Sequence, residues 1–162
     1  MDKVPMTADG LLSLETELTR LKNEERPAIS KALEVARAHG DLSENAEYHA
    51  AKERQSFVEG RVAELEDILS RVNVIDISKL SGDVIKFGAT VMLADGETDQ
   101  ESTYMIVGSY ESNASNGRLS VTSPLARALI GKTIGDVVEV MTPSGGKSYE
   151  IVDVTFVAVE SE

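Results

Sequence analysis

From Leu11 to Val72 the apolar positions recur at alternating spacings of three and four. Leu11, Leu14, Leu18, Leu21, Glu25, Ala28, Ala32 and Val35 form one seam with a single polar break, and Ala51, Gln55, Val58, Val62, Leu65, Leu69 and Val72 form a second. Such spacing winds a narrow apolar stripe along a helix, and the stripe buries against one partner. Run antiparallel, the seams match: Leu11 falls beside Val72, Leu14 beside Leu69, Leu18 beside Leu65 and Leu21 beside Val62. The polar exceptions Glu25 and Gln55 fall near one level. The small residues Ala28, Ala32 and Ala51 lie toward the turn, where the hairpin should narrow.

The pattern predicts two antiparallel helices, roughly Thr7–Ala38 and Asn45–Val72. Thr7 can N-cap the first, with Met6 and Leu11 as the staple pair. Pro27 interrupts this helix, removes one backbone bond and predicts a kink. A run from Thr7 to Gly40 spans about 50 Å at ~1.5 Å per residue. That exceeds what a small core needs, so the hairpin tip is presented to something else.

Beyond residue 76 the period changes to that of strands. Thr90–Ala94, Thr103–Val107, Leu119–Thr122, Val137–Met141 and Ser148–Phe156 alternate or run apolar, with a hairpin turn at Ser144-Gly145-Gly146. Ser123 through Gly131 reads as a short helix with Ser at the N-cap, Pro at N1 and a Gly stop. The fold class is therefore α+β: an antiparallel coiled-coil hairpin over 1–76, then a small domain over 77–162 with a mostly antiparallel sheet and one helix. Asp76–Asp83, with Ser78, Ser81 and Gly82, is the linker signal.

Composition sharpens this picture. The first 76 residues hold 10 basic and 16 acidic side chains, the remainder 6 and 12, so both parts are equally acidic and the chain totals −12. That balance argues against autonomous nucleic-acid binding, which needs clustered Lys and Arg. The absence of Cys excludes disulfides, thiolate metal sites and cysteine catalysis, and two histidines are too few for a three-histidine metal site. No apolar run reaches the ~20 residues of a membrane span, and the N-terminus lacks a secretory core. We expect a cytoplasmic monomer, since each seam has its partner within the chain.

Candidate chemistry sits at the hairpin tip, where Asp41, Glu44 and Glu47 fall within seven residues. Asp41 followed by Glu44 is a capping-box pattern for the second helix, and acids in a first turn complement the helix dipole. The same pair is also an exposed hook for a divalent ion. Mg²⁺ commonly takes one or two carboxylates and keeps positions open for water and phosphate. Arg37, Lys52 and Arg54 flank the tip and by themselves read as a solvated face with helix ion pairs. Tyr48 either packs the narrow end of the hairpin opposite Val35 or stacks on a nucleotide.

The stretch Ala36-Arg37-Ala38-His39-Gly40-Asp41-Leu42-Ser43-Glu44-Asn45-Ala46-Glu47-Tyr48-His49-Ala50-Ala51-Lys52 closely resembles the tip of the bacterial GreA/GreB transcript cleavage factors, and is closer to the GreA form than to the more basic GreB form. Val74-Ile75-Asp76, Phe87-Gly88-Ala89-Thr90-Val91 and the Ser123–Lys132 run resemble that family's C-terminal half, so the resemblance spans essentially the whole chain. The second half is also similar to the prolyl-isomerase fold of FK506-binding proteins. Isomerase activity is not expected, because that pocket is built from aromatics around a Trp, and this half offers only Phe87, Tyr104, Tyr110, Tyr149 and Phe156.

The resemblance implies a transcription elongation factor that binds bacterial RNA polymerase and enters its secondary channel. There it would stimulate the polymerase's own Mg²⁺-dependent cleavage of the RNA 3′ end in backtracked complexes. By that resemblance Asp41 and Glu44 are the catalytic acids and share the Mg²⁺ with the polymerase. Arg37, Lys52, Tyr48 and Glu47 contact RNA or support the tip, and Ser123 and Pro124 dock the globular domain. The chain would be an accessory factor rather than an enzyme. The alternatives are a non-catalytic regulator or inhibitor occupying the same channel, and a generic coiled-coil interaction or chaperone module.

Overall fold

The computed structural model describes residues 2–156. The described residues divide into two compact units, one of residues 2–3 and 11–72, the other of 4–10 and 73–156.

The first unit is the helical hairpin. Helix α1 (Ala8–Arg20) runs into a π-helical turn, Leu21–Glu25, and then into α2 (Arg26–Ala38). After the tip, α3 (Ala46–Ser70) returns over 25 residues. Side chains crossing between the two arms fix their antiparallel sense. Arg61 pairs with Glu17 at 2.7 Å, Arg26 with Glu59 at 2.7 Å and Lys22 with Glu66 at 3.4 Å, and Arg54 pairs with Glu25.

The π turn corrects the sequence-based seam. Leu14 and Leu21 are buried as expected, together with Val58, Val62 and Leu65 of α3, which also buries Ile68. Past the turn the core side chains are Ile29, Leu33 and Ala36, each one position after the expected Ala28, Ala32 and Val35. Val35 is 46% exposed, whereas Ala36 is fully buried. In the π turn the Arg26 N–H reaches the Leu21 carbonyl five residues back. One extra residue is thereby absorbed, and the stripe shifts by one position instead of drifting off the α3 face. Pro27 then lies in the first turn of α2, where a missing N–H costs least. The break in regular α-helical bonding thus lies just before the proline, in the π turn.

The second unit is built on a five-stranded sheet, β3 (Thr90–Asp95), β4 (Glu101–Val107), β5 (Arg118–Ser120), β6 (Val137–Thr142) and β7 (Gly145–Thr155). The spatial order is β5-β4-β3-β7-β6, antiparallel throughout except for the β4–β5 pair. The short helix α4 (Pro124–Leu129) adds Ala126 and Leu129 to a core with Ile85, Val91, Leu93, Ile106 and Ile151. Thr142 pairs with Gly145 across the β6–β7 turn, so that turn is Pro143-Ser144, one residue earlier than expected.

Two short strands were not legible in the sequence: β1 (Val4–Met6) and β2 (Val72–Val74) pair with each other, and the Ile75 N–H continues the contact to the Met6 carbonyl at 2.9 Å. The segment 4–10 therefore belongs with the globular unit. Thr7 caps α1 as expected, accepting from the Gly10 N–H at 3.1 Å. Its own N–H and hydroxyl both donate to the Glu111 carboxylate, which accepts from the Gly108 N–H as well.

Candidate functional site

The tip begins where α2 ends. Gly40 turns the chain at φ +107°, a left-handed conformation that side-chain-bearing residues avoid. Asp41 then caps a 3₁₀ turn, Leu42–Glu44, through one oxygen: Oδ1 accepts from the Ser43 N–H at 3.0 Å and from the Ser43 hydroxyl at 2.8 Å. Asp41 therefore does not cap the following α-helix. Asn45 does so, its Oδ1 accepting from the Tyr48 N–H at 3.0 Å, with Glu47 in the first turn. The capping-box reading of Asp41 and Glu44 thus fails for α3, and Glu44 is left without a structural task at the tip.

Asp41, Glu44 and Glu47 are all solvent-exposed. With His39, Asn45 and Ala46 they line an open concavity of about 420 Å³. Carboxylate oxygens are hard donors suited to Mg²⁺. Among the described residues no group of three or more His, Asp or Glu side chains converges on a metal position. Oδ2 of Asp41 and the Glu44 carboxylate are oxygens of the kind that can fill part of a Mg²⁺ coordination shell.

The flanking residues divide. Arg37 is exposed in the last turn of α2. The Lys52 ammonium lies 5.9 Å from the centre of the Tyr48 ring and 3.4 Å from Oε1 of Gln55. Arg54 is spent on the stem, pairing with Glu25 and covering the Phe57 ring at 5.5 Å. Tyr48 is half-buried and meets the His49 ring edge-on at 5.7 Å, while Val35, its expected packing partner, faces solvent. In the globular unit the Ser123 hydroxyl accepts from the Ala126 N–H at 3.3 Å and donates to the Ser120 carbonyl at 2.7 Å. Ser123 is thus engaged as a helix cap, and Pro124 beside it is exposed.

The sequence reading missed Asn45 and His49 as individual contributors. Asn45 Nδ2 donates to the Ala36 carbonyl at 2.7 Å, joining the two arms, and His49 Nε2 lies 3.1 Å from the Ser43 carbonyl. An Asn directly before a helical run is a legible cap, but a hydrogen bond back across the turn has no sequence signature.

A helical hairpin ending in exposed acids, carried by a chain with a small α+β unit, defines a class, and similarity to known proteins supplies its family. Residues 4–74 match the N-terminal family model "Transcription elongation factor, N-terminal", and residues 80–156 match "Transcription elongation factor, GreA/GreB, C-term". The transcription elongation factor GreA of Phenylobacterium zucineum is 61% identical over 97% of this chain and 100% of its own length. That of Beijerinckia indica is 63% identical over 96% and 99%. The crystal structure of GreA factor homolog 1 (Gfh1) of Thermus thermophilus is 30% identical over 94% of this chain and 98% of that one, with a TM-score of 0.43. The chain belongs to the GreA/GreB family of transcription elongation factors.

Proposed function

We propose that this elongation factor binds bacterial RNA polymerase, places its hairpin in the secondary channel and stimulates Mg²⁺-dependent hydrolysis of the displaced RNA 3′ end in backtracked complexes. The observation that carries the reading is the pair Asp41 and Glu44, exposed at the end of the hairpin and not used to cap α3. Between the end of α2 and the start of α3 the chain offers two carboxylates and an open concavity, so it can complete a metal site but not constitute one.

Asp41 Oδ2 and the Glu44 carboxylate would hold the shared Mg²⁺, an ion that lowers the pKa of attacking water and stabilises the leaving oxygen. The rest is done by the chain's own residues. Asp41 is held by its two bonds from Ser43, so its free oxygen has a fixed direction. The ion-paired stem carries the acids ~37 Å along α3, at ~1.5 Å per residue. Arg37 and Lys52 offer two exposed cations near extruded RNA, enough to guide a strand and too few to bind it independently. The half-buried Tyr48 braces the tip, with one face under Lys52. The Ser123–Pro124 corner, through its exposed proline, is the docking candidate. The factor works as an accessory monomer in the cytoplasm, with the polymerase performing the hydrolysis.

The test is a stalled, backtracked elongation complex incubated with wild type, Asp41→Ala or Glu44→Ala. Wild type should release short 3′ RNA fragments. The variants should compete for polymerase but release few. Inhibited transcription without fragments from wild type would establish the channel-blocking reading instead.

A further inference from the structure

The 3₁₀ turn that bears the acids has little to hold it. Asp41, Ser43 and Glu44 are exposed and Leu42 is 36% exposed, so packing holds the turn only weakly. The Asp41–Ser43 bonds are internal to it and cannot orient it on the helices.

Among the described residues, the tie from the body of α3 to this turn is His49, whose Nε2 lies 3.1 Å from the Ser43 carbonyl oxygen. A carbonyl only accepts, so Nε2 carries the proton, and the partner fixes the tautomer. The ring is steadied in turn by the edge-on contact with Tyr48, which lies under the Lys52 ammonium. Asn45 closes the other side. Its Oδ1 caps α3 and its Nδ2 grips the carbonyl of Ala36, a fully buried residue of α2. The turn is therefore pinned at Ser43 and anchored at its end by a bridge between the arms.

We propose that His49, with Asn45, is a positioning residue that holds the Asp41 and Glu44 carboxylates in register for the shared metal ion. The inference rests on the function proposed above for these acids. It needs only a shift of about 1 Å to matter, since misplacement on that scale can cost ~10²-fold in rate.

Three substitutions separate this role from a merely structural one. His49→Phe keeps the ring and removes the donor. His49→Gln restores a donor of similar reach. Asn45→Asp keeps the cap acceptor and removes the bond to Ala36. Each is measured on the backtracked complex beside Asp41→Ala and Glu44→Ala, reading fragment release across a Mg²⁺ titration and competition with wild type for polymerase. His49→Phe and Asn45→Asp should compete as wild type does, lose ~10- to 100-fold in cleavage and need more Mg²⁺, while His49→Gln recovers most of the rate. Wild-type cleavage by His49→Phe, equal losses in the Phe and Gln variants, or lost competition in any of the three would overturn the proposal. If Asp41→Ala and Glu44→Ala themselves cleave normally, the function proposed for the tip has failed. If they are inactive while His49→Phe is normal, only the positioning role has.

Discussion

Arg61 of α3 grips Glu17 of α1 with two parallel hydrogen bonds, Nε to Oε2 at 2.7 Å and Nη2 to Oε1 at 2.8 Å. Arg26 grips Glu59 with the same fork, at 2.8 and 2.7 Å, so two bidentate pairs cross-link the arms. The Arg61 guanidinium holds the Glu17 carboxyl below its usual range, against an opposing push from partial burial. A depressed folded-state pKa contributes stability that is present above the unfolded value, about 4.3, and is lost as pH falls through the folded value.

Thermal melts followed at the helical circular dichroism band should therefore show the hairpin weakening below about pH 4.3. Glu25 and Glu59 are also held low, by Arg54 and Arg26, and should add to the same acid limb. Glu17→Gln should lower stability at neutral pH by ~1 kcal/mol or less, the scale of a solvent-screened pair, and flatten the acid limb. A variant as acid-sensitive as wild type would show that this pair does not set it.

The π turn makes a prediction about length. Deleting the exposed Asn23 removes the extra residue and lets Leu21 and Ile29 share one α-helical stripe. The deletion variant should stay folded, with a melting temperature equal to or above that of wild type. Inserting one Ala after Asn23 should instead turn Ile29, Leu33 and Ala36 off the α3 face by ~100° and lower the melting temperature markedly. A deletion variant that loses its helical signal would show that the turn does not absorb a surplus residue.

Core truncation should behave differently from tip substitution. Leu65 is fully buried in the hairpin, so Leu65→Ala should cost ~2–5 kcal/mol. Any loss of activity should follow the unfolded fraction. Asp41→Ala removes one cap of an exposed 3₁₀ turn and should cost ~1 kcal/mol at most. Chemical denaturation of both proteins decides the contrast.

Gly108 makes a test of backbone approach. A Cβ there would run into the Pro5 carbonyl oxygen, a backbone atom that cannot swing aside. Gly108→Ala should destabilise the globular unit by ~1–3 kcal/mol. At Gly10 the obstacle is the Glu111 side chain, which can move only by giving up its bonds to Thr7 and Gly108. Gly10→Ala should therefore cost about as much as Glu111→Ala, and the double variant little more than either, in denaturant titrations.

Calorimetry on the free protein checks the metal reading. Two exposed carboxylates should give weak Mg²⁺ binding, with no tight site at the tip. Tight binding abolished by Asp41→Ala would point to an autonomous nuclease and against a lent pair of acids.

Much of this molecule was determined locally and could be read without coordinates. The three-and-four spacing gave two helices and their antiparallel pairing, because a helix repeats every 3.6 residues whatever surrounds it. Strand alternation placed β3, β4, β6 and β7, and Ser123-Pro124 announced α4 for the same kind of reason. The acids of the tip were visible as composition and spacing. Tertiary structure decided the rest. Whether Val35 or Ala36 faces α3 depends on one residue absorbed in a π turn, and that choice is made by burying Ile29 and Leu33 against the other arm. β1 and β2 are three residues each and exist only because they pair with one another across most of the hairpin sequence. The hydrogen bonds of His49 to Ser43 and of Asn45 to Ala36 likewise form only when the turn brings the two arms together. Local periodicity fixes what a segment can be, and long-range burial and hydrogen bonding fix which face it turns inward and which of its polar groups are left free to act.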